Sequence, residues 1–245
     1  MQIFSVVAQL FLLCSSLMIS SSLYAEQKST DQSEVQNNSL DPWEPFNRRV
    51  FQFNEVLDSY LIRPAAKAYV RITPNKIERG IGRFFNNLGE PTTFANELLQ
   101  AKWIPAAQTG GRFLVNSTVG LLGFIDVATH LGLTNYEEDF GQTLGYWGIA
   151  SGPYLVLPII GPSSARDAAG LVPQYFVTDP TIQTPDAVRY SLYAVNVVQA
   201  RAKLLSVDSV GSGDKYTFIR DVYLQRRQFF IEDGQVQDEF LDSSW

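Results

Sequence analysis

Asn75-Lys76-Ile77-Glu78-Arg79-Gly80-Ile81-Gly82-Arg83-Phe84-Phe85-Asn86-Asn87-Leu88 sets the character of the whole chain. Ile77, Ile81, Phe84, Phe85 and Leu88 recur at helical spacing and form one stripe, while Glu78, Arg79, Arg83 and Asn87 fall on the remaining surface. That period predicts an amphipathic helix rather than a strand. Pro91 is expected to restart the chain, after which Phe94, Ala95, Leu98 and Leu99 carry the same period toward Trp103, with Pro105 closing the unit.

The pattern spreads in both directions. Upstream, Pro45 to Leu61 places Phe46, Val50, Phe53, Leu57 and Leu61 on one face, and Pro64 is expected to end that helix because proline disfavours a helical residue before it. Downstream, Gln108 to Val119 is helical in period and runs into Gly120–Ala128, the most apolar stretch after the leader. That stretch is too short and glycine-broken to span a bilayer as one helix, so it is expected to be buried, re-entrant or interfacial. From Asp139 to Gly170 glycine and proline interrupt every long element; Tyr154–Leu157 reads as one short strand without a partner. Two further helices are expected near Pro185–Leu205 and Asp214–Glu232. The predicted fold is mainly α: several amphipathic helices with Gly/Pro-rich connections and no internal repeat. Periodicity alone leaves open whether the apolar faces meet one another, as in a soluble bundle, or meet acyl chains.

The ends differ from this body. Ile3 to Ile19 is apolar, and Ser20-Ser21-Ser22-Leu23-Tyr24-Ala25 then meets polar Glu26, the pattern of a secretory leader (1–25) cut after Ala25. The n-region lacks Lys and Arg, and Leu13 precedes Cys14 where lipoprotein processing wants a small residue, which argues against lipidation of Cys14. Residues 26–40 are rich in Gln, Ser and Asn with no apolar period and read as a flexible tether. The helical domain is expected over 41–233, followed by an acidic tail, 234–245, whose plain reading is a solvated end.

Composition narrows the chemistry. A net charge of −6 without any Lys/Arg run argues against nucleic-acid binding. The single cysteine lies in the leader, so a mature chain has no disulfide and no cysteine metal site. His130, the sole histidine, has no His or Cys nearby in sequence, no G-x-S-x-G elbow occurs, and no P-loop is present to power transport. Gly80-Ile81-Gly82 lacks the third glycine of a dinucleotide fingerprint. Carboxylates such as Glu137, Glu138 and Asp139 could pair, but paired carboxylates occur on most surfaces. No catalytic residue, metal or cofactor is expected.

Asp41-Pro42-Trp43-Glu44-Pro45-Phe46-Asn47-Arg48 resembles the D-P-x-E-x-F-N-R motif near the start of the MlaA/VacJ family. The resemblance continues in order through Arg63-Pro64, Glu90-Pro91, Arg112-Phe113 with Asn116, Gly123–Ala128 and Asp139–Gly145. It is most specific at Gly152-Pro153-Tyr154 with Leu157-Pro158 and Gly161-Pro162-Ser163, closed by Arg166-Asp167. It covers about Asp41 to Asp179, and the helix from Asp214 with Tyr223 and Arg226 is similar in character. Such a resemblance implies helices lying in the inner leaflet of the outer membrane around a central pathway. Along that pathway misplaced phospholipid would leave the outer leaflet for a soluble periplasmic carrier, often beside a trimeric porin. It also implies non-enzymatic lipid transport; a soluble periplasmic carrier of an apolar ligand is the alternative, and a secreted lipid hydrolase a third.

Within that reading, Phe113, Leu121, Leu122, Phe124 and Ile125 are candidates for contact with acyl tails, and Arg112, Asn116 and Asp126 for the polar route. Asp41, Pro42, Phe46, Asn47, Pro91, Gly141, Gly145, Gly152, Pro153 and Pro158 are expected to shape the backbone rather than to touch lipid.

Overall fold

The computed structural model describes residues 41–178, 181, 184–208 and 213–234. The proposed leader, the tether, and all of the acidic tail after Gly234 lie outside these residues.

Helix α1 (Glu44–Leu57) passes through a π-helical turn, Asp58–Ile62, into α2 (Arg63–Ile72). Helix α3 (Asn75–Leu99) is followed by α4 (Trp103–Thr118), the short α5 (Val127–His130) and α6 (Phe140–Tyr146). Strands β1 (Tyr154–Leu157) and β2 (Gly161–Ser164) lead into α7 (Ala165–Pro173) and a second π turn, Gln174–Thr178. Helix α8 (Asp186–Lys203) and helix α9 (Lys215–Ile231) complete the described residues, with a 3-10 turn, Leu205–Val207, after α8. The mainly α expectation holds.

Three prolines do less than their position in the sequence suggested. Pro91 lies inside α3, which continues unbroken to Leu99. Its missing N–H frees only the carbonyl of Asn87, a local loss that the packing of α3 on α4 outweighs. Pro64 does not end the first helix. It sits in the first turn of α2, directly after the π turn, whose wider ring accommodates the missing donor. Pro105 falls in the first turn of α4, where N–H groups have no intrahelical acceptor anyway.

Tyr154–Leu157 does find a partner. β1 pairs antiparallel with β2 in the register Tyr154↔Ser164 to Leu157↔Gly161. Gly-Pro-Ser-Ser carries no β-forming side chain, so propensity hid it. The outer edge of β1 is closed by two asparagines of α1, seven residues apart and hence on one helix face. Asn47 Nδ2 donates to the Tyr154 carbonyl at 3.0 Å while its Oδ1 accepts from Val156 N at 2.9 Å. Asn54 repeats the arrangement one step along, donating to the Leu157 carbonyl at 3.0 Å and accepting from Ile159 N at 2.8 Å. An exposed strand edge is thereby satisfied within the chain.

A small apolar nucleus lies beneath this edge: Tyr154, Val156 and Tyr216 are buried, with Val50, Phe51, Tyr223 and Leu224 packed around them. Elsewhere the usual distribution is reversed. Among the described residues the other buried hydrophobic residues are alanines, whereas Asn47, Asn96, Glu97, Thr109 and Thr143 are completely buried. Trp103, Ile104, Leu114 and Val119 are all about two-thirds exposed or more, at 67%, 73%, 64% and 67%. Folding in water buries apolar area, so this arrangement is anomalous for an aqueous surface of such extent.

Candidate functional site

The reversal is built on α3 and α4, which pair antiparallel. Glu97 meets Thr109, Glu90 meets Arg112, and Asn87 meets Ser117. On α3 the buried residues Asn87, Glu90, Thr93, Asn96 and Glu97 recur every three or four positions, so the buried stripe is polar, while Phe94, Leu98 and Leu99 face outward.

Arg112, Asn116 and Asp126, the residues predicted for the polar route, come together in one network. Arg112 donates from Nε to Glu90 at 3.1 Å, from Nη1 to Thr129 Oγ1 and the Leu133 carbonyl, and from Nη2 to Asp126 at 3.4 Å. Asn116 donates to Asp126 at 3.2 Å and accepts from Ala128 N at 3.0 Å. Asp126 caps α5 by accepting from Thr129 N and Oγ1. Burial pushes the Asp126 carboxyl up, but the Thr129 and Asn116 hydrogen bonds and the Arg112 charge outweigh it and hold it low. At Glu90 burial wins over Arg112 and the carboxyl is raised.

From this network polar groups continue inward. Burial, with help from the Glu138 and Glu90 charges, pushes Glu97 up to about 7 despite its hydrogen bond from Thr109. Thr143 donates to Asn96 at 2.7 Å, Gln100 donates to Thr143 and Glu138, and Lys102 pairs with Glu138 at 2.9 Å. The line ends at an open cavity of about 420 Å³ whose walls mix apolar surface with the polar side chains of Thr93, Glu138, Asp139, Gln142, Tyr223 and Arg226. Arg227 is fixed at its wall by Asp139 at 2.6 Å and Asp167 at 2.9 Å. Burial raises Asp139, yet the hydrogen bonds and charge of Arg227 hold it below the ordinary carboxylate range. Arg226 stays largely open, reaching Glu137 at 3.8 Å and lying over the Phe230 ring.

The predicted tail-contact residues sit at the other end of the network, in the loop joining α4 to α5. Leu121, Leu122, Phe124 and Ile125 are exposed, and Phe113 is half-buried on α4. Leu121 and Leu122 both adopt left-handed φ, 53° and 58°, a conformation costing non-glycine residues about 1–3 kcal/mol each. The loop is held in that state by bonds from Gly123 N to the Asn116 carbonyl and from Ile125 N to the Gly120 carbonyl. A Cβ at Gly120 would lie 2.3 Å from the Ile125 carbonyl oxygen, so only glycine fits. The surroundings thus force two leucines outward.

The backbone-shaping residues divide. Gly141 is required, since a Cβ there would meet Asp167 and Arg227 at 2.4 and 2.6 Å, and Gly145 lies against Arg166 and Ile231. Gly152 has φ +67°, and Pro153 and Pro158 flank β1. Asn47 and Asp41 are buried and bonded to each other at 2.8 Å, while Phe46 is half-buried and Pro42 exposed. Glu90, Glu97, Thr109, Asn96 and Arg227 were missed as site residues. Their signal is present as polar residues at helical spacing on α3, but periodicity alone leaves open which of the two faces is buried. His130 is exposed, and among the described residues no His/Cys/Asp/Glu group could hold a metal ion.

A polar interior leading to an amphipathic cavity, wrapped in helices whose apolar faces point outward, defines an inverted helical protein. The chain belongs to the MlaA lipoprotein family, whose model matches residues 39–230. It is 36% identical over 196 residues to an uncharacterised protein of Rickettsia typhi, covering 78% of each chain. To the intermembrane phospholipid transport system lipoprotein MlaA it is 35% identical in Haemophilus influenzae, covering 86% of each chain, and 33% identical in Escherichia coli, covering 83% of each. A solved structure reported as the basis for maintenance of bacterial outer membrane lipid asymmetry superposes with a TM-score of 0.70 at 34% identity, covering 78% of this chain and 98% of that one.

Proposed function

We propose that this protein is a non-enzymatic phospholipid conduit of the outer membrane. It removes misplaced phospholipid from the outer leaflet and delivers it to a soluble periplasmic carrier. The observation that carries this reading is the reversal of polarity: exposed Trp103, Ile104, Leu114 and Val119 suit hydrocarbon, while the buried polar line and its cavity suit a headgroup. The names carried by its relatives, which place them in an intermembrane phospholipid transport system, support lipid transport as the activity.

In this reading the helices lie in the periplasmic leaflet with their apolar faces against acyl chains; among the described residues no helix is long and apolar enough to cross a membrane. In this arrangement Leu121, Leu122, Phe124, Ile125 and Phe113 meet acyl chains. Arg112, Asn116 and Asp126 hold that loop and give the route its polar side. The exposed apolar surface also offers a trimeric porin a neighbouring face. The chain does no chemistry on the lipid, which leaves with its ester bonds intact.

A soluble periplasmic carrier would share the leader and the family pattern but not the membrane. Washing outer membranes carrying the full chain in alkaline carbonate separates the two: retention in the pellet is expected, and quantitative release into the supernatant would move the carrier to first place.

A further inference from the structure

One stretch of surface is charged against the rest of the chain. Residues 63–83 hold six of the 19 Lys and Arg residues but only one of the 25 Asp and Glu residues, Glu78. Arg63 is taken up by Asp58 at 3.0 Å. Lys67 and Arg71 on α2, and Lys76, Arg79 and Arg83 on α3, are exposed and make no ion pair among the described residues. In a chain of net charge −6, five uncompensated cations in succession mark a surface suited to an anion that the chain itself does not supply.

Their placement ties them to the polar interior. Lys76, Arg83, Glu90 and Glu97 recur every seventh residue and so share one side of α3, with Arg79 beside them. Glu90 and Glu97 are buried because α4 covers that side. Helix α4 ends at Thr118, where Ser117 meets Asn87 at 2.9 Å, and before Asn87 the same side of α3 is open. The buried polar line therefore surfaces on a cationic stripe. Next to the stripe lies the α4–α5 loop: Gly123 closes on Asn87, and Phe124 leans over Gly80, where a Cβ would meet the ring at 2.9 Å. Exposed Leu121 and Leu122 belong to the same loop. On α2, Val70 and Ile72, 40% and 79% exposed, bracket Lys67 and Arg71 around the helix.

We propose that this cationic surface of α2 and α3 binds the headgroups of anionic glycerophospholipid in the periplasmic leaflet. The guanidinium and ammonium groups meet phosphodiesters at the membrane–water boundary, while Leu121, Leu122, Val70 and Ile72 reach the acyl chains beneath. An acidic protein would satisfy the cations but leave the neighbouring aliphatic side chains against carboxylates; a leaflet satisfies both. The assignment rests on the conduit reading. It adds the depth at which α3 sits and the class of lipid that gathers where the polar line opens.

Co-flotation tests it, with the purified full chain diluted from nonionic detergent into phosphatidylcholine vesicles with or without phosphatidylglycerol. The expected result is stronger partition into the phosphatidylglycerol vesicles despite the chain's net negative charge. That preference disappears in molar salt, where the Debye length is about 3 Å. The triple substitution Lys76→Gln, Arg79→Gln and Arg83→Gln lowers partition into those vesicles about fivefold per cation, roughly a hundredfold in all, and leaves partition into phosphatidylcholine unchanged. These three side chains make no hydrogen bond or ion pair among the described residues, so the variant keeps the fold, which circular dichroism checks. Arg49→Gln, which removes an equally exposed cation from α1, changes neither partition. A loss with Arg49→Gln matching that of each α3 cation shows a general charge effect and overturns the site. Flotation with both vesicles without preference leaves the stripe to an acidic protein, and only the lipid assignment fails; flotation with neither takes the conduit reading down with it.

Discussion

Arg112→Leu is expected to lower stability by about 3–5 kcal/mol, the loss seen when one partner of a buried ion pair is removed. Glu90 is almost completely buried, Arg112 supplies the hydrogen bond to its Oε1, and Oε2 has no partner. The substitution leaves a carboxylate inside the helix pair, and it also strands the Leu133 carbonyl and part of Asp126. With total stabilities of about 5–15 kcal/mol, this is a large share. Arg112→Lys does not rescue it, because a single ammonium cannot serve four acceptors arranged around a planar fork.

The loss depends on pH. Glu90 is already raised by burial, and without Arg112 it rises further. A folded-state carboxyl above its ordinary value gives stability that is present in acid and lost as pH rises through the raised value. Denaturant unfolding of the purified variant therefore shows a smaller deficit near pH 5 than near pH 8, and Glu90→Gln in the same chain recovers part of it. An equal deficit at both pH values would mean that Glu90 is not the stranded group.

Asn47→Leu is the second large effect, about 3 kcal/mol. Leucine branches at the same carbon as asparagine but bonds to nothing, so three buried groups lose a partner at once: Asp41 Oδ1, the Tyr154 carbonyl and the Val156 N–H. Each buried unsatisfied group costs about 1–3 kcal/mol, with partial relaxation. Asp41 keeps the Tyr216 hydroxyl, which limits its share. Asn54→Leu, whose partners lie nearer solvent, costs less than half as much. Equal losses at the two positions in thermal unfolding would contradict the burial argument.

The sequence carried the helices but not their orientation. The apolar repeat that located α3 is real, yet Ile77, Phe94, Leu98 and Leu99 lie on the outer side of the helix. Period reports that two faces differ, and the assumption that the apolar one is inside belongs to water as solvent. The polar repeat at Asn87, Glu90, Thr93 and Glu97 was equally legible and is the one that packs. Pro64 and Pro91 misled because their cost is local while helix packing is distributed. β2 was invisible because Gly-Pro-Ser-Ser carries no β-forming side chain, and the closure of the outer edge of β1 was hidden because Asn47 and Asn54 lie far away in sequence. Arg112, Asn116 and Asp126 were each singled out from the chain, but their common network needed the fold, since Glu90 and Thr129 complete it. Leu121 and Leu122 gave no sign of left-handed backbone; that follows from the closed turn at Gly120.

The most direct test of the account is the phospholipid content of the outer leaflet in cells lacking this gene, measured against cells in which the intact chain is restored. A conduit that clears misplaced lipid predicts a rise on deletion that the full chain reverses. Outer-leaflet phospholipid that stays at the parental level after deletion, including under outer-membrane stress, would contradict it.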